Sequence, residues 1–537
     1  MAPADENHPM PEAPAPRRSG GALAVGAGIL LSRLAGLIRD RVISHYLGLS
    51  AAAGAFRAAL RIPNVLQNLL GEGVLSASFI PVYARLLAEG RHDEASKLAR
   101  AVGTLLALVA CVIAASGVLA AGVLVDVLAP GFDEATRALT VQLVQILFPG
   151  LALLVMSAWC LGVLNSHRKF FLSYVSPVLW NAALIAAAIV AGRRLAGHDD
   201  GIATWLAWGA VIGSGGQLVV QLPTVIALLR GLRPSLAVRD PNVQTTLRAF
   251  VPVLLGRGSV QLSAYIDQVI ASYLTGPIVA AMANAQTLYL LPISLFGMAV
   301  SAAELPEMSS GTGGERARAE HLHGRLRPAL RRVAFLVVPS TIAFVAIGGS
   351  IIGLLFQTGR FGAKETEVVW IILLGSAIGL FPNTQSRMMA SAFYALGDPK
   401  PPLHAALVRL VLTTVLGYAA ALPVREALGY DAVWGAFGLT ATAGVAAWVE
   451  LVLLRRWLSA RIGPIATPVK LALGSTVAAV IAGAGGYAVG QLGTTLGVAA
   501  WQSSVASIAV FGAIYFGVMA AARVPEATAI IRRVVRR

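Results

Sequence analysis

Residues 21–89 read GALAVGAGILLSRLAGLIRDRVISHYLGLSAAAGAFRAALRIPNVLQNLLGEGVLSASFIPVYARLLAE. The stretch holds two segments long enough to cross a bilayer, and charged residues lie inside both. They are Arg33, Arg39, Asp40, Arg41, Arg57, Arg61 and Glu72. A charge at the centre of a bilayer costs about 3 kcal/mol on insertion scales, so such residues normally face a bundle interior or a wet cavity. We therefore predict that this stretch lines the functional site.

The composition indicates an all-α polytopic membrane protein. Of the 537 residues, 57% are hydrophobic and only 13% are charged, which excludes an ordinary soluble domain. Apolar runs of about 20 residues recur throughout, each long enough to span a membrane. The predicted spans, about fourteen, are 22–48, 51–88, 97–129, 134–164, 170–192, 202–229, 242–275, 277–306, 328–357, 366–397, 401–422, 431–457, 468–491 and 498–522.

Lysine and arginine are distributed unequally between the two sides that these spans create. Most of the 42 lie on the side of both termini. Those on the other side are Arg137, Arg193, Arg194, Arg360, Lys364 and Arg425. The positive-inside rule therefore predicts that both termini are cytoplasmic. This distribution accounts for the net charge of +16 without a nucleic-acid partner.

An internal repeat predicts the domain organisation. Asp40, Val42, Ile43, Tyr46 and Leu47 recur in the seventh span, at a constant displacement, as Asp267, Val269, Ile270, Tyr273 and Leu274. Six spans separate the copies, so both run in the same direction and a site is expected between two parallel lobes. The predicted domains are a disordered cytoplasmic tail (1–21), an N-lobe (22–230), a C-lobe (231–460), two further helices (461–523) and a basic cytoplasmic tail (524–537).

The second span should bend and present a basic face. Arg57 and Arg61 are four residues apart and share one face. Pro63 and the Gly71–Gly73 triplet should kink and loosen the helix after them. Because arginine's planar fork suits phosphate oxygens, the excess of arginine over carboxylate indicates an anionic ligand such as a phosphate or diphosphate.

The seventh span carries a second polar stripe, which either lines the site or forms an interhelical hydrogen-bond network. Its members are Arg257, Gln261, Tyr265 and Gln268, with Asp267 beside them. Arg387 and Arg409 lie close to predicted cytoplasmic ends, and we interpret them as structural. The sequence has no catalytic triad pattern, no HExxH and no P-loop, so neither an enzyme nor an ATPase is expected.

At these residues the chain resembles the MurJ (MviN) family of lipid II flippases, within the multidrug/oligosaccharidyl-lipid/polysaccharide exporter superfamily. The motifs that carry the resemblance run in family order. They are SRLAGLIRD (32–40), RIPN (61–64), EG (72–73), SFIP (78–81), LLFQTGRF (354–361) and FYALGDPK (393–400). They extend over nearly the whole chain, and fourteen helices is the family's count.

The resemblance implies a bacterial inner-membrane protein that moves lipid II from the cytoplasmic to the outer leaflet by alternating access. Lipid II is the undecaprenyl-diphosphate-linked disaccharide-peptide precursor of peptidoglycan. The family has a cationic central cavity, and its helices 13 and 14 form a groove for the polyprenyl tail. We expect no cofactor, a drive from either sodium or the membrane potential, and a monomer in the bilayer that can meet cell-wall synthesis proteins. The substrate-binding residues expected here are Arg33, Arg39, Asp40, Arg57, Arg61, Glu72 and Arg257.

This chain departs from the family pattern at three places. Gly54 stands where an acidic residue is common, Gln67 stands where an arginine is expected, and Gln286 or Thr287 replaces a second arginine. Our hypothesis is that Arg57 and Arg257 restore the missing charge. Some relatives bind sodium in the second lobe, for which Asp267 is the candidate ligand.

Two alternatives remain open at this point. The first is a related exporter of another polyprenyl-diphosphate-linked oligosaccharide, which a basic cavity would also suit. The second is a membrane enzyme acting on polyprenyl phosphates, such as a glycosyltransferase or a phosphatase. That enzyme would need clustered carboxylates or a His and Arg phosphate motif at a membrane face, and the sequence offers neither.

Overall fold

The fold is built entirely from helices in the part of the chain that the structure describes. This computed structural model describes residues 20–535, apart from 232, 299, 301–303, 305–307, 309–313 and 466–468. The helices are α1 (Gly20–Leu47), α2 (Ala51–Leu70), α3 (Glu72–Ala88), α4 (His92–Leu119), α5 (Ala121–Leu128), α6 (Glu134–Ser166), α7 (Phe170–Arg194), α8 (Asp199–Leu228), α9 (Pro241–Ser272), α10 (Gly276–Pro292), α11 (Glu315–Phe356), α12 (Ala363–Ala395), α13 (Lys400–Ala419), α14 (Ala432–Ile462), α15 (Val469–Thr495), α16 (Ala500–Ala521) and α17 (Pro525–Val535).

The chain is a multi-pass membrane protein. Within the described residues, twelve helical stretches are long and apolar enough to cross a membrane, with α2 and α3 counted together. The predicted all-α membrane fold is therefore confirmed, whereas the count of fourteen spans stays a prediction. π-helical turns extend α10 at Ile293–Met298 and α13 at Ala420–Val424.

The second predicted span breaks at Gly71, as the Gly71–Gly73 triplet indicated. α2 ends at Leu70 and α3 begins at Glu72, while Gly71 has the non-helical angles φ −94° and ψ −129°. The Gly71 N–H donates to the Gln67 carbonyl at 2.7 Å, which closes the last turn of α2. Pro63 lies inside α2 without ending it. The predicted span is therefore divided into two separate helices, α2 and α3.

Buried apolar side chains form separate clusters in the two halves of the chain. One cluster draws mainly on residues 43–254 and another on residues 274–465. We call α1–α8 the first half and α9–α14 the second half; the lobe boundaries given above stay a prediction. A third cluster joins α11 to α15, α16 and α17, where Tyr515 donates its hydroxyl to the Phe335 carbonyl at 2.7 Å. The last helices thus pack against α11.

Polar contacts join the two halves at one end of the molecule. Arg41 at the end of α1 donates to the carbonyls of Leu354 and Leu355 at 2.7 and 3.1 Å. Arg360, just beyond α11, forms an ion pair with Asp199 at the start of α8. We call these contacts the latch. They hold the C-terminal end of α11 against the first half.

The helices α2 and α10 approach closely at the same end. A Cβ atom built on Gly54 would lie 2.0 Å from the carbonyl oxygen of Gly276, a distance at which the backbones must move apart. Nearby, the Arg360 N–H donates to the His45 carbonyl at 2.9 Å. The absence of a side chain at Gly54 therefore lets the two helices touch, and an acidic side chain there would collide with α10.

Candidate functional site

A cavity of about 770 Å³ lies between the two halves. Its walls come from α1, α2 and α6–α8 of the first half and from α9, α10 and α12–α14 of the second half. Arg61 and Gln268, which face each other across it, are 207 positions apart in the sequence. A ligand held there would contact both halves at once.

Asp40 lies behind the cavity surface and orients Arg39 and Arg57, which line it and which we call the basic wall. It is 2% exposed, and its Oδ1 accepts hydrogen bonds from Arg39 Nη2 and from Arg57 Nη1, both at 2.9 Å. Its Oδ2 accepts from Thr287 Oγ1 of α10 at 3.2 Å. A buried carboxylate is tolerated when charge partners and hydrogen bonds satisfy it, as they do here. Asp40 therefore positions two arginines that themselves line the cavity.

Neutral side chains fix the same two arginines further. Arg39 Nη1 donates to Asn181 Oδ1 at 3.0 Å, and its guanidinium lies 5.2 Å from the centre of the Trp180 ring. Arg57 Nη2 donates to Asn284 Oδ1 of the second half at 3.3 Å. Since the planar fork is oriented by several partners, little rotational freedom is lost when an anion binds.

Arg61 faces the second half across the cavity. Its Nη1 donates to Gln268 Oε1 at 3.4 Å. The positive charges of Arg61 and Arg409 both act on the Asp267 carboxylate. Among the described residues, no hydrogen-bond partner exists for Asp267 Oδ1 or for Gln268 Nε2, and both atoms are buried. Buried polar atoms are usually satisfied in native proteins, so these groups point to water or a ligand in the cavity.

Arg409 lies on the cavity wall and in the middle of α13, not near a helix end; its structural role stays a prediction. Its Nη1 donates to Asn383 Oδ1 at 2.5 Å and to Glu450 Oε2 at 2.9 Å. Asn383 in turn donates to the Tyr289 hydroxyl. Arg409 is the ninth position of the predicted span 401–422, and that depth was the signal available in the sequence.

The charge of the cavity surface is mainly positive. Its charged lining residues are Arg39, Arg57, Arg61, Asp267 and Arg409. Two further carboxylates, Asp40 and Glu450, contact these arginines from behind the surface. Charge-assisted hydrogen bonds to phosphate oxygens are shorter and stronger than neutral ones, and the lower dielectric of a cavity strengthens them. The surface is therefore suited to a phosphate-bearing ligand.

Of the eight residues predicted to form the site, the structure brings five together: four line the cavity, and Asp40 lies behind two of them. The predicted residues that line the cavity are Arg39, Arg57, Arg61 and Asp267. Arg33 is exposed on α1 and is not among the lining residues, although its neighbour Ser32 is. The side chains of Glu72 and Arg257 lie outside the described residues. Sequence reasoning missed Asn181, which carries no charge and gains its role only from the packing of α7 against α1.

Comparison with known proteins identifies a family. A family model described as "Lipid II flippase MurJ" matches residues 43–503. The chain is 32% identical to "Lipid II flippase MurJ" of Burkholderia cenocepacia over 80% of this chain and 82% of that protein. It is 31% identical to "Probable lipid II flippase MurJ" of Rhizobium tropici over 73% of this chain and 74% of that protein.

Solved structures share the fold at low sequence identity. A structure titled "Lipid II flippase MurJ, inward closed conformation" is similar with a TM-score of 0.75 and 20% identity, covering 96% of this chain and all of that one. An inward-facing multidrug-resistance MATE transporter of the MOP superfamily is similar with a TM-score of 0.65 and 18% identity, over 82% of this chain and 98% of that one. The helical arrangement is thus shared with transporters.

Proposed function

Because the chain belongs to the MurJ family of lipid II flippases, we propose that it moves lipid II from the cytoplasmic to the outer leaflet of the bacterial inner membrane by alternating access. The observation that carries the proposal is the cavity between the halves, where Asp40 holds two arginines toward the interior. The family is one of transporters, so the membrane enzyme considered above is set aside.

In this proposal the diphosphate binds Arg39, Arg57 and Arg61. Their guanidinium groups approach one cavity from two adjacent helices, and each retains N–H groups beyond those used in the bonds described. Arg33, Glu72 and Arg257 stay proposed contributors. Asp40 would keep the arginines oriented in the absence of substrate, so that binding requires little rearrangement.

The orientation follows from the predicted cytoplasmic termini. Under that orientation the latch lies at the outer face, because α1 starts in the cytoplasm and ends beside α11. A latch closed on the outside supports entry of the headgroup from the cytoplasmic leaflet. We propose further that α15 and α16 receive the polyprenyl tail, and that the protein works as a monomer that can meet cell-wall synthesis proteins.

Growth of bacteria depleted of their own lipid II flippase tests the function. We expect this chain to restore growth and the exposure of lipid II to an externally added probe. The double variant Arg57→Ala, Arg257→Ala should restore neither, because it removes two of the cations proposed to bind the diphosphate. The control Arg85→Ala, Arg239→Ala removes two exposed arginines and should behave as the parent does.

The growth experiment tests the transport function and the proposed binding residues separately. Unimpaired growth of the Arg57→Ala, Arg257→Ala variant would show that these arginines do not replace the missing family charges. If the membrane-inserted parent restored neither growth nor lipid II exposure, the substrate would be another polyprenyl-diphosphate-linked oligosaccharide or none of this class. The cationic surface would suit lipid II and another polyprenyl-diphosphate-linked oligosaccharide equally. Only the externally added lipid II probe distinguishes these two substrates.

We propose that the membrane potential, rather than sodium, drives the return of the empty protein. Asp267, the sodium candidate, faces two guanidinium groups, those of Arg61 and Arg409, which would repel a cation. These two positive charges beside Asp267 disfavour a sodium ion there and support the membrane potential as the proposed drive.

Flipping in proteoliposomes tests this choice. One charge crossing the full field changes the free energy by roughly 2.3 kcal/mol per 100 mV, so dissipating the potential should slow turnover by about tenfold or more. Replacing sodium by potassium at constant potential should leave the rate unchanged. A rate that follows sodium and ignores the potential would contradict the proposal.

A further inference from the structure

The cavity has a second, uncharged surface that the phosphate-binding proposal does not use. Its lining residues from α6, α7 and α8 include no charged side chain, although they include the polar Ser157, Asn181 and Gln217. On α2, the lining residues beyond Arg61 are also neutral and polar, namely Asn64, Gln67 and Asn68. Along α2 the cavity lining therefore passes from cationic to neutral.

The order of these residues along α2 follows from helix geometry. Arg57, Arg61, Asn64 and Asn68 are spaced by four, three and four residues, which places them on one face of the helix. At a rise of 1.5 Å per residue, Asn68 lies about 10 Å along the axis from Arg61. Consider a ligand whose anionic group binds Arg57 and Arg61. If the group next to that anion points toward the C-terminal end of α2, it will contact the amides of Asn64 and Asn68.

The part of the neutral surface that lies on α6 and α8 is held in place by buried partners. Gln217 Nε2 donates to Ser157 Oγ at 2.9 Å, and Ser157 Oγ donates to Gln221 Oε1 at 2.8 Å. Gln221 is fully buried and donates to Ser176 Oγ at 2.5 Å. This chain of bonds runs through α6, α8 and α7. It orients the two members that line the cavity, Ser157 and Gln217, before any ligand arrives.

Two donors in the cavity lining are left without partners. Trp180 Nε1, next to Asn181, is buried and has no hydrogen-bond partner among the described residues. The same holds for Nε2 of Gln268, which is only 6% exposed. A buried donor without a partner is costly unless water or a ligand satisfies it. Trp180 lies beside Arg39 and Gln268 beside Arg61, so both donors point to an oxygen-rich occupant where the cationic and neutral surfaces meet.

We propose that this neutral surface is a saccharide subsite, which binds the uncharged sugars that follow the diphosphate in the substrate. The inference rests on the proposed function and adds a second contact region to it. Carboxamides both donate and accept hydrogen bonds, as sugar hydroxyls and N-acetyl groups do, whereas a phosphate only accepts. Amide oxygens and phosphate oxygens are both acceptors and repel each other at close range. A surface rich in Asn and Gln therefore suits the sugars better than the diphosphate.

Binding of two defined lipids to the purified full chain tests the subsite. The probes are lipid II and undecaprenyl diphosphate, which lacks the sugars and the peptide. We expect Gln67→Ala, Asn68→Ala to weaken lipid II binding by about tenfold, the effect of losing two neutral hydrogen bonds. The same variant should bind undecaprenyl diphosphate with unchanged affinity, whereas Arg61→Ala should weaken both probes by a similar factor.

Both alanine substitutions suit a helix, and Asn68 is exposed, so the variant should fold. The matched control is Gln142→Ala, Gln145→Ala, which removes two exposed amides of α6 outside the cavity lining and should change neither affinity. Lipid II affinity that stays at the parent value, or a loss shared equally by both probes, would overturn the subsite. A parent protein that binds neither lipid would instead refute the proposed function, and the subsite with it.

Discussion

Replacement of Asp40 by alanine is expected to abolish growth support and to lower the free energy of unfolding by about 3–5 kcal/mol. The carboxylate is almost fully buried and is the ion-pair partner of both Arg39 and Arg57. Without it, two guanidinium groups with side chains only 18% and 12% exposed would remain close together without a counter-charge. They would repel each other, turn away from the cavity or draw in water.

Unfolding of the purified protein in detergent, together with growth of flippase-depleted cells, measures this effect. The control is Asp93→Ala, which removes a carboxylate that is 94% exposed and pairs with the exposed Arg230. Exposed ion pairs contribute little, so the control should change stability by less than about 0.5 kcal/mol. Parent-like stability and growth of the Asp40→Ala protein would show that Asp40 does not organise the basic wall.

Replacement of Gly54 by alanine is expected to force open the end that carries the latch, which the proposed orientation places outside. The new Cβ would lie 2.0 Å from the Gly276 carbonyl oxygen, and both positions belong to helix backbones that cannot yield separately. Overpacking of this kind costs about 1–3 kcal/mol, which lowers the population of the closed arrangement at least about fivefold. Growth support should fall because the protein spends less time open to the cytoplasm.

Labelling of a cysteine in the cavity reports the change. In a Cys111→Ala, Cys160→Ala background, Ser376→Cys places a thiol on the cavity wall. An impermeant maleimide added outside should label it faster when Gly54→Ala is present. Gly512→Ala is the matched control, because nothing lies within 4 Å of its Cβ position. Equal labelling rates in all three proteins would contradict the role given to Gly54.

The sequence predicted the membrane fold and the basic stretch because both depend on local chemistry. Runs of apolar residues specify spans, and charges within them must gather away from lipid. The break at Gly71 was also predictable, since the Gly71–Gly73 triplet weakens any helix. These inferences need only the identity and spacing of neighbouring residues.

The parts that sequence reasoning did not predict depend on how helices cross. Arg33 and Asp40 share a helical face, yet Arg33 is exposed and Asp40 is buried because partners from α2 and α10 reach only the later turns of α1. The place of Arg409 on the cavity wall depends likewise on the packing of α13 against α12 and α14. The contact of Gly54 with Gly276 joins residues far apart in sequence, and no local pattern signals it.

The latch joins the halves through groups that water can replace. The carbonyls that Arg41 binds belong to the last turn of α11, where helix carbonyls have no partner within the helix. The Arg360 side chain in the ion pair with Asp199 is 51% exposed already. When the halves separate, solvent can take over each of these bonds at little net cost. The latch therefore adds little to the free-energy difference between the arrangement described here and one with the halves apart, and the proposed alternating access would meet little resistance from it.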